Sequence, residues 1–375
     1  MIVRTDVFKE ICTKILAAVD TSVNTPITGT IALTAKEGLF CVVCTNMRYY
    51  VEVRTEVDIE SQFEAAINAG AFLKLISQVT TEVVEMSLKD TYLLVKANGT
   101  YKFPLVYDGE NLLRLPTIEV GDVVCRVEVP TSALSSMLTY NMKELNKSKG
   151  QVQNTAQRMF YLDQHGCITH TATGACINTF ELSEPFKILI PQQVVKLFKL
   201  FKDDNVALTV GEAQVTADIT QVRIKLETPS VTLSAALPFD SRMLDEVPAE
   251  ILRSKAAAAY PYFATFEKSD FVAAINRLLA VSHTELSFGS YGELLFSPTE
   301  LTLLDVREDN TDKVFYTGEV QLDQDYSAVV DLEDLKLTLE ACSEQYVTLY
   351  FGDSKAIVVS RAGVKNLIPE ARVIE

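Results

Sequence analysis

Histidine and cysteine are the side chains here that could do chemistry near neutral pH, and neither type forms a recognisable site. The three histidines, His165, His170 and His283, have no plausible nucleophile beside them in sequence, so each is interpreted as structural. Cys41 and Cys44 match C-x-x-C, but they lie in a strand-like run, where residues three apart point to opposite faces. No second C-x-x-C completes a zinc site. We therefore expect no catalytic residue, no metal and no cofactor.

Other signatures of enzymes are missing from the sequence as well. There is no G-x-G-x-x-G, no P-loop and no nucleophile elbow, and the acidic runs at 305–312 and 323–325 are typical of solvated loops. A rival hypothesis is an acidic α+β hydrolase or transferase with its site at a domain junction. That hypothesis needs an acid/base pair which the sequence does not reveal, so we expect a protein that is not an enzyme.

Segment 187–202 combines an apolar face with a basic stripe. It starts as a short apolar strand and has Pro191 where a helix would begin. The spacing then predicts a helix of about three turns, whose apolar face holds Val194, Leu197, Phe198 and Phe201 and whose other side holds Lys196, Lys199 and Lys202. Alone, such a segment is most simply a surface helix with solvated lysines.

The composition limits the partners and the compartment. A net charge of −16 argues against general nucleic-acid affinity unless the basic residues are gathered on one surface. Seven scattered cysteines suit a reducing compartment, so we expect a cytoplasmic protein. We expect no membrane association, since no apolar run is long enough to span one and the N-terminus does not resemble a signal peptide.

Helical patterns recur along the chain at nearly constant spacing. They start near residues 6, 69, 131, 191, 269 and 331, with strand-like segments between them, so most starts are about 60 residues apart. The one longer gap contains 245–261, with an alanine run, which is interpreted as a linker. Each repeat reads as strand, helix and about three strands. Two repeats make a domain, which predicts an α+β protein of three domains, 1–122, 123–245 and 246–375, each with a sheet layer covered by two helices.

This repeat resembles the bacterial β sliding clamps, the processivity subunits of the replicative DNA polymerase. The resemblance spans the chain and rests on the order of several short segments. These are Thr25-Pro-Ile-Thr-Gly-Thr-Ile-Ala-Leu, Cys44-Thr-Asn, Ala66-Ile-Asn-Ala-Gly-Ala-Phe-Leu-Lys-Leu-Ile, Thr171-Ala-Thr-Gly-Ala, Ile188-Leu-Ile-Pro-Gln-Gln-Val-Val, Leu237-Pro-Phe-Asp-Ser-Arg-Met and Ile368-Pro. It implies the DNA clamp fold and a head-to-tail homodimeric ring around duplex DNA.

In such a ring, basic residues on the inner helices would meet the DNA phosphates without reading sequence. The alternative for each is an ordinary solvated face, and about half are expected to point at DNA. The turn 20–25 lacks the arginine that the family often has, which weakens the case for contact there. The candidates are Lys9, Lys14, Lys74, Lys143, Lys147, Lys149, Lys196, Lys199, Lys202, Arg277 and Lys336.

The resemblance also implies an apolar pocket between the second and third domains, which takes a QLxLF-like peptide of the polymerase and of the clamp loader. This sequence has Gly174-Ala-Cys-Ile where many members have Gly-His-Arg-Leu, and its tail beyond Pro369 is longer. The alternative for each residue is an ordinary core position. The expected wall is Thr155, Ala172, Gly174, Ala175, Cys176, Ile177, Pro238, Arg242, Met243, Leu367 and Ile368.

The expected function is therefore a clamp that tethers a DNA polymerase to its template. The dimer face is expected between the first domain of one copy and the third domain of the other, with Ala280 and Val281 as candidate contacts. Because the pocket sequence is altered, a clamp-fold protein serving repair or another non-replicative role stays open as an alternative.

Overall fold

A computed structural model describes residues 1–19, 25–57, 62–147, 156–216, 219–239, 241–282, 290–305, 309–352, 356–361 and 363–371. In these ranges no helix has the length and apolar character needed to cross a membrane. A π-helical turn, Met137–Asn141, joins α3 to α4, and a 3₁₀ turn, Lys196–Leu200, follows α5. The helices are α1 Thr5–Leu16, α2 Ala69–Gln78, α3 Thr131–Ser136, α4 Met142–Lys147, α5 Gln192–Val195, α6 Ser241–Asp245, α7 Ala249–Ala257, α8 Lys268–Ser282 and α9 Leu332–Ala341.

Strands form most of the remaining regular structure. They are β1 Ile2–Arg4, β2 Thr30–Lys36, β3 Leu39–Thr45, β4 Tyr49–Glu56, β5 Phe63–Asn68, β6 Val83–Lys89, β7 Tyr92–Lys96, β8 Thr100–Pro104, β9 Tyr107–Asp108, β10 Asn111–Leu112, β11 Asp122–Pro130, β12 Met159–Asp163, β13 Gly166–Thr171, β14 Gly174–Thr179, β15 Lys187–Pro191, β16 Asn205–Thr216, β17 Ile219–Glu227, β18 Val231–Ala236, β19 Tyr262–Glu267, β20 Tyr291–Phe296, β21 Glu300–Asp305, β22 Thr311–Gln321, β23 Tyr326–Asp331, β24 Tyr346–Phe351, β25 Ala356–Arg361 and β26 Val364–Pro369.

The predicted repeat of strand, helix and three strands is confirmed. Within the described ranges it occurs six times, beginning at β1, β5, β11, β15, β19 and β23. Two helix starts also have side-chain caps. The Asn68 side chain accepts a hydrogen bond from the Ala71 N–H, and the Asp331 side chain accepts from the Glu333 and Asp334 N–H groups.

Two expectations about helices were wrong. The linker expected at 245–261 contains α7. The three-turn helix expected after Pro191 is instead one turn of α-helix, α5, followed by the 3₁₀ turn. A 3₁₀ turn has three residues per turn, so Lys196 and Lys199 share a face. The buried side chains Val194, Leu197, Phe198 and Phe201 still form the apolar side, as expected.

The chain forms two compact units, and unit 1 comprises Met1–Ser132 and Lys196–Phe239. Its larger sheet has the order β11-β16-β17-β18-β4-β3-β2-β5, and a smaller sheet has the order β1-β6-β7-β8. Antiparallel pairing of β18 with β4, from Val231 opposite Val53 to Ala235 opposite Tyr49, joins the two halves of the larger sheet. This pairing, the β4–β18 seam, links strands from the segments predicted as the first and second domains.

Unit 2 comprises Ala133–Val195 and Asp240–Glu375. Its sheet has the order β15-β12-β13-β14-β26-β25-β24-β19-β22-β21-β20-β23. The pairing of β14 with β26, the β14–β26 seam, again joins two sets of strands, here from the predicted second and third domains. A core of apolar side chains from α8, α9 and the strands around them fills the part of unit 2 after residue 262. The division into three domains remains a prediction.

Candidate functional site

The β14–β26 seam has two faces with different neighbours. Asn366 donates from Nδ2 to Glu144 Oε2 at 2.9 Å, and Asn178 donates from Nδ2 to Asn141 Oδ1 at 3.2 Å, so both point to the helix that runs from α3 to α4. Side chains alternate along a strand, and directly opposed residues share a face. Ala175, opposite Leu367, and Ile177, opposite Lys365, therefore point to the other side of the sheet, which we call the outer face.

The structure separates the predicted wall residues by face. Ala175, Ile177 and Leu367 lie on the outer face, although only 1%, 4% and 4% of their surfaces are exposed. Cys176 and Ile368 point to the helix side and are buried there. The others are exposed Ala172, half-buried Gly174 at the start of β14, exposed Arg242 and half-buried Met243 on α6, exposed Pro238 in unit 1, and Thr155 outside the described residues.

A cavity of about 350 Å³ lies on the outer face of the seam. Its lining combines an apolar part with charged side chains. Among the wall residues that the structure describes, Ile177 is the one that lines it. The lining is His165, Ile177, Thr179, Glu181, Arg253, Ala256, Ala257, Gly363, Val364 and Lys365. The size lies at the lower end of ligand pockets, so the cavity fits a side chain better than an extended ligand.

Helix α7 forms one wall of this cavity, and two polar ties hold it to the sheet. Arg253 donates from Nη1 to Asp163 Oδ2 at 2.8 Å and from Nη2 to Asp163 Oδ1 at 2.6 Å, and Asp163 is buried. Lys365 donates from Nζ to the Ala256 carbonyl at 2.6 Å, near the C-terminal end of α7, where the helix dipole favours a cation. Sequence reasoning missed both ties because it assigned α7 to a linker.

His170 lies on the same outer face, opposite Ala175. Its Nε2 atom is buried and has no hydrogen-bond partner among the residues that the structure describes. Burial lowers the pKa of its imidazole, because the charged form would lose its hydration there. A buried polar atom without a partner is uncommon in proteins. No motif around His170 signalled this environment, and the residue was interpreted as structural.

Comparison with solved structures places this geometry in a known fold. The chain superimposes on the β subunit of DNA polymerase of Streptococcus pyogenes with a TM-score of 0.79 at 13% identity, covering 99% of each chain. A sliding clamp of Pseudomonas aeruginosa bound to griselimycin gives 0.78 at 12% identity, covering 100% of this chain and 99% of that one. The chain has the sliding-clamp fold. The DNA polymerase III β subunit of Thermotoga maritima gives 0.74 at 13% identity over 99% of each chain.

Sequence comparison alone does not find this fold. No protein-family model matches the chain, and no curated protein matches it. The sliding-clamp fold is therefore retained here with about one residue in eight in common with the solved structures.

The sliding-clamp fold places the predicted basic residues on its helices and beside them, and they divide into two groups. Some are engaged inside their own unit: Lys14 with Glu10 at 2.9 Å, Arg277 with Asp312 at 2.6 Å, Lys336 with Glu340 at 4.0 Å, and Lys143 Nζ with the Glu340 carbonyl at 3.4 Å. Others form no ion pair with any described residue, namely Lys9, Lys74, Lys196, Lys199 and Lys202. Lys149 lies outside the described residues, as does the side chain of Lys147.

The predicted dimer contacts lie at the end of α8. Ala280 and Val281 are exposed there, Val281 by 50%. Helix α8 packs on β22, where Phe315 exposes 65% of its surface. Val281 and Phe315 are thus two exposed apolar side chains on neighbouring elements. Phe315 was not predicted from the sequence.

Proposed function

We propose that this protein is a sliding clamp, which closes as a head-to-tail homodimer around duplex DNA and tethers the replicative DNA polymerase to its template. The observation that carries this proposal is the pairing rule of the repeats. Each seam joins the fourth strand of one repeat to the fourth strand of another, β4 to β18 and β14 to β26. The remaining two repeats end in the fourth strands β8 and β22. Among the described residues, these two strands do not pair with each other.

Strands β8 and β22 provide the edges for a third seam of the same kind, formed between two copies of the chain. Strand β8 pairs with β7 along one edge and ends the smaller sheet of unit 1. Strand β22 pairs with β21 from Thr311 to Phe315, while β19 pairs with it further along, at Tyr316–Gln321. Pairing β8 of one copy with the first part of β22 of another uses different surfaces on the two copies. Such an interface closes a ring when the rotation allows it.

In this proposal the residues that contact DNA are Lys9, Lys74, Lys196, Lys199 and Lys202, because they form no ion pair with any described residue. Phosphate contacts of this kind carry no sequence information, so the ring slides. The net charge of −16 opposes general attraction to polyanions. Retention on DNA then depends on the closed ring more than on affinity.

Partner binding in this proposal falls to the outer face of the β14–β26 seam. The polymerase and the clamp loader would insert a QLxLF-like peptide, and Ala175, Ile177 and Leu367 supply apolar surface for it. The 350 Å³ cavity beside Ile177 supports this position, since it is an apolar hollow next to predicted wall residues.

Topological retention is the decisive test. The protein is diluted to monomers with nicked circular duplex DNA and then concentrated so that rings close, and the bound fraction is separated by size in high salt. We expect protein to stay on the circle and to leave when a restriction enzyme linearises it. Equal release from circular and linear DNA would contradict a closed ring. Binding to a short open duplex serves as the control for ordinary affinity.

A further inference from the structure

The outer face of the β14–β26 seam is covered in the free chain. Ala175, Ile177 and Leu367 are almost fully buried, although a peptide would have to reach them. Helix α7 contacts both strands of the seam and shares the cavity with Ile177. Because α7 covers this face, a peptide can bind there only after α7 moves.

Helix α7 makes few apolar side-chain contacts with the sheet beneath it. Only Ala249 and Ala256 of this helix are buried, and alanine is the smallest side chain that a helix can place against a sheet. The cavity remains open between the helix and Ile177. Of the two large aliphatic residues of α7, Ile251 points to solvent with 60% of its surface exposed, and Leu252 is half-buried. Little apolar area therefore holds the helix in place.

Polar ties supply the attachment instead. The two Arg253–Asp163 hydrogen bonds fix the middle of α7, and the Lys365–Ala256 hydrogen bond fixes its C-terminal end. Such bonds hold strongly only in one geometry, and water replaces them when the partners separate. A helix attached by directional polar bonds over an unfilled apolar hollow is suited to discrete opening.

We propose that α7 is a displaceable lid on the partner-binding face, latched by the Arg253–Asp163 pair. This inference rests on the proposed partner-binding role of the outer face. When the latch opens, the apolar side chain of a partner peptide takes the hollow beside Ile177. The fraction of molecules with an open lid sets the apparent affinity for the peptide, because a closed molecule does not bind.

The test compares Arg253→Met with a matched control, Lys255→Met. Both changes remove one positive charge from α7, but Lys255 is exposed and its side chain forms no ion pair with a described residue. A fluorescein-labelled Gln-Leu-Ser-Leu-Phe peptide is titrated into each full-length variant, and amide hydrogen exchange is followed across 249–257. We expect Arg253→Met to bind about tenfold more tightly or better, with faster exchange in α7. Lys255→Met keeps the wild-type values.

Two results would overturn the lid. Faster exchange in α7 with unchanged or weaker peptide binding would make the helix a bystander or a wall of the pocket. No binding to any variant, even with α7 open, would remove the peptide site itself, whereas retention on circular DNA would still decide the ring. Because Arg253→Met leaves Asp163 buried without its cation, the double variant Asp163→Asn/Arg253→Met is measured in parallel and is expected to show the same gain.

Discussion

Gly174 lies so close to β26 that a Cβ atom on it would be 2.8 Å from the carbonyl oxygen of Leu367. The same atom would be 2.9 Å from Glu144 Oε1, which belongs to a buried side chain. Glycine is therefore required at this position for β14 to approach β26, and the seam depends on it.

Replacing Gly174 with alanine is expected to destabilise unit 2 by about 1–3 kcal/mol, as is usual for added volume at a tightly packed position. Thermal unfolding measures the loss as a lower Tm. Gly29→Ala is the control, since a Cβ atom there meets nothing closer than 3.8 Å. Equal Tm values for the two variants would contradict this prediction, because they would show that β14 can move away from β26 without loss of stability.

Lysines without ion pairs should dominate the salt dependence of binding to a short duplex. The triple variant Lys9→Ala/Lys196→Ala/Lys199→Ala is expected to reduce the slope of log K against log salt by about 0.9 per lysine. The control triple Lys143→Ala/Arg277→Ala/Lys336→Ala removes the same charge from residues that are already engaged. Fluorescence anisotropy at several salt concentrations gives both slopes. A similar reduction of the slope in the two triple variants would contradict the division of the basic residues into engaged and unpaired groups.

Val281 should contribute to the dimer interface. Val281→Asp places a charge at an exposed apolar position near the end of α8, and we expect the dimer dissociation constant to rise by about tenfold or more. Sedimentation velocity compares the variant with the wild type, whose chain mass is 41.6 kDa. Val123→Asp on β11 is the control, because Val123 is at least as exposed but lies outside the proposed interface. A dimer unaffected by Val281→Asp would exclude the end of α8 from the contact.

His170 should make stability depend on pH. Its folded-state pKa is lowered by burial, so below the ordinary value of 6.5 the unfolded chain binds a proton that the folded chain does not. Stability is therefore expected to fall as pH decreases from 6.5 towards the folded pKa. His170→Gln should reduce the difference in Tm between pH 7.5 and 5.5. An unchanged difference in His170→Gln would exclude this role.

Helix periodicity and the repeat were readable from the sequence because each helix has a regular apolar face. Helix α7 was not, because four of its nine residues are polar or charged and its only buried residues are alanines. Its signals were local, with Pro248 before it, Glu250 in its first turn and Lys255 in its last. The 3₁₀ turn after α5 had a signal as well, since Lys196, Lys199 and Lys202 repeat every three residues.

The site was less predictable than the fold. The resemblance indicated Ala175, Ile177 and Leu367 as wall residues, but their pairing across β14 and β26 and their burial depend on elements distant in sequence. The Arg253–Asp163 pair joins residues that are 90 positions apart, and no periodicity connects them. Such long-range pairs are invisible to reasoning from local patterns.

The β4–β18 seam also constrains how the protein is made. Arg54 on β4 donates to Thr232 on β18, and these residues are separated by 178 positions. At ordinary rates of translation, about 10–40 s pass between synthesis of the two strands. During that time the growing chain carries β4 as an open edge, which can pair with another nascent chain. Until β18 emerges from the ribosome, the larger sheet of unit 1 therefore lacks the strand that covers the β4 edge.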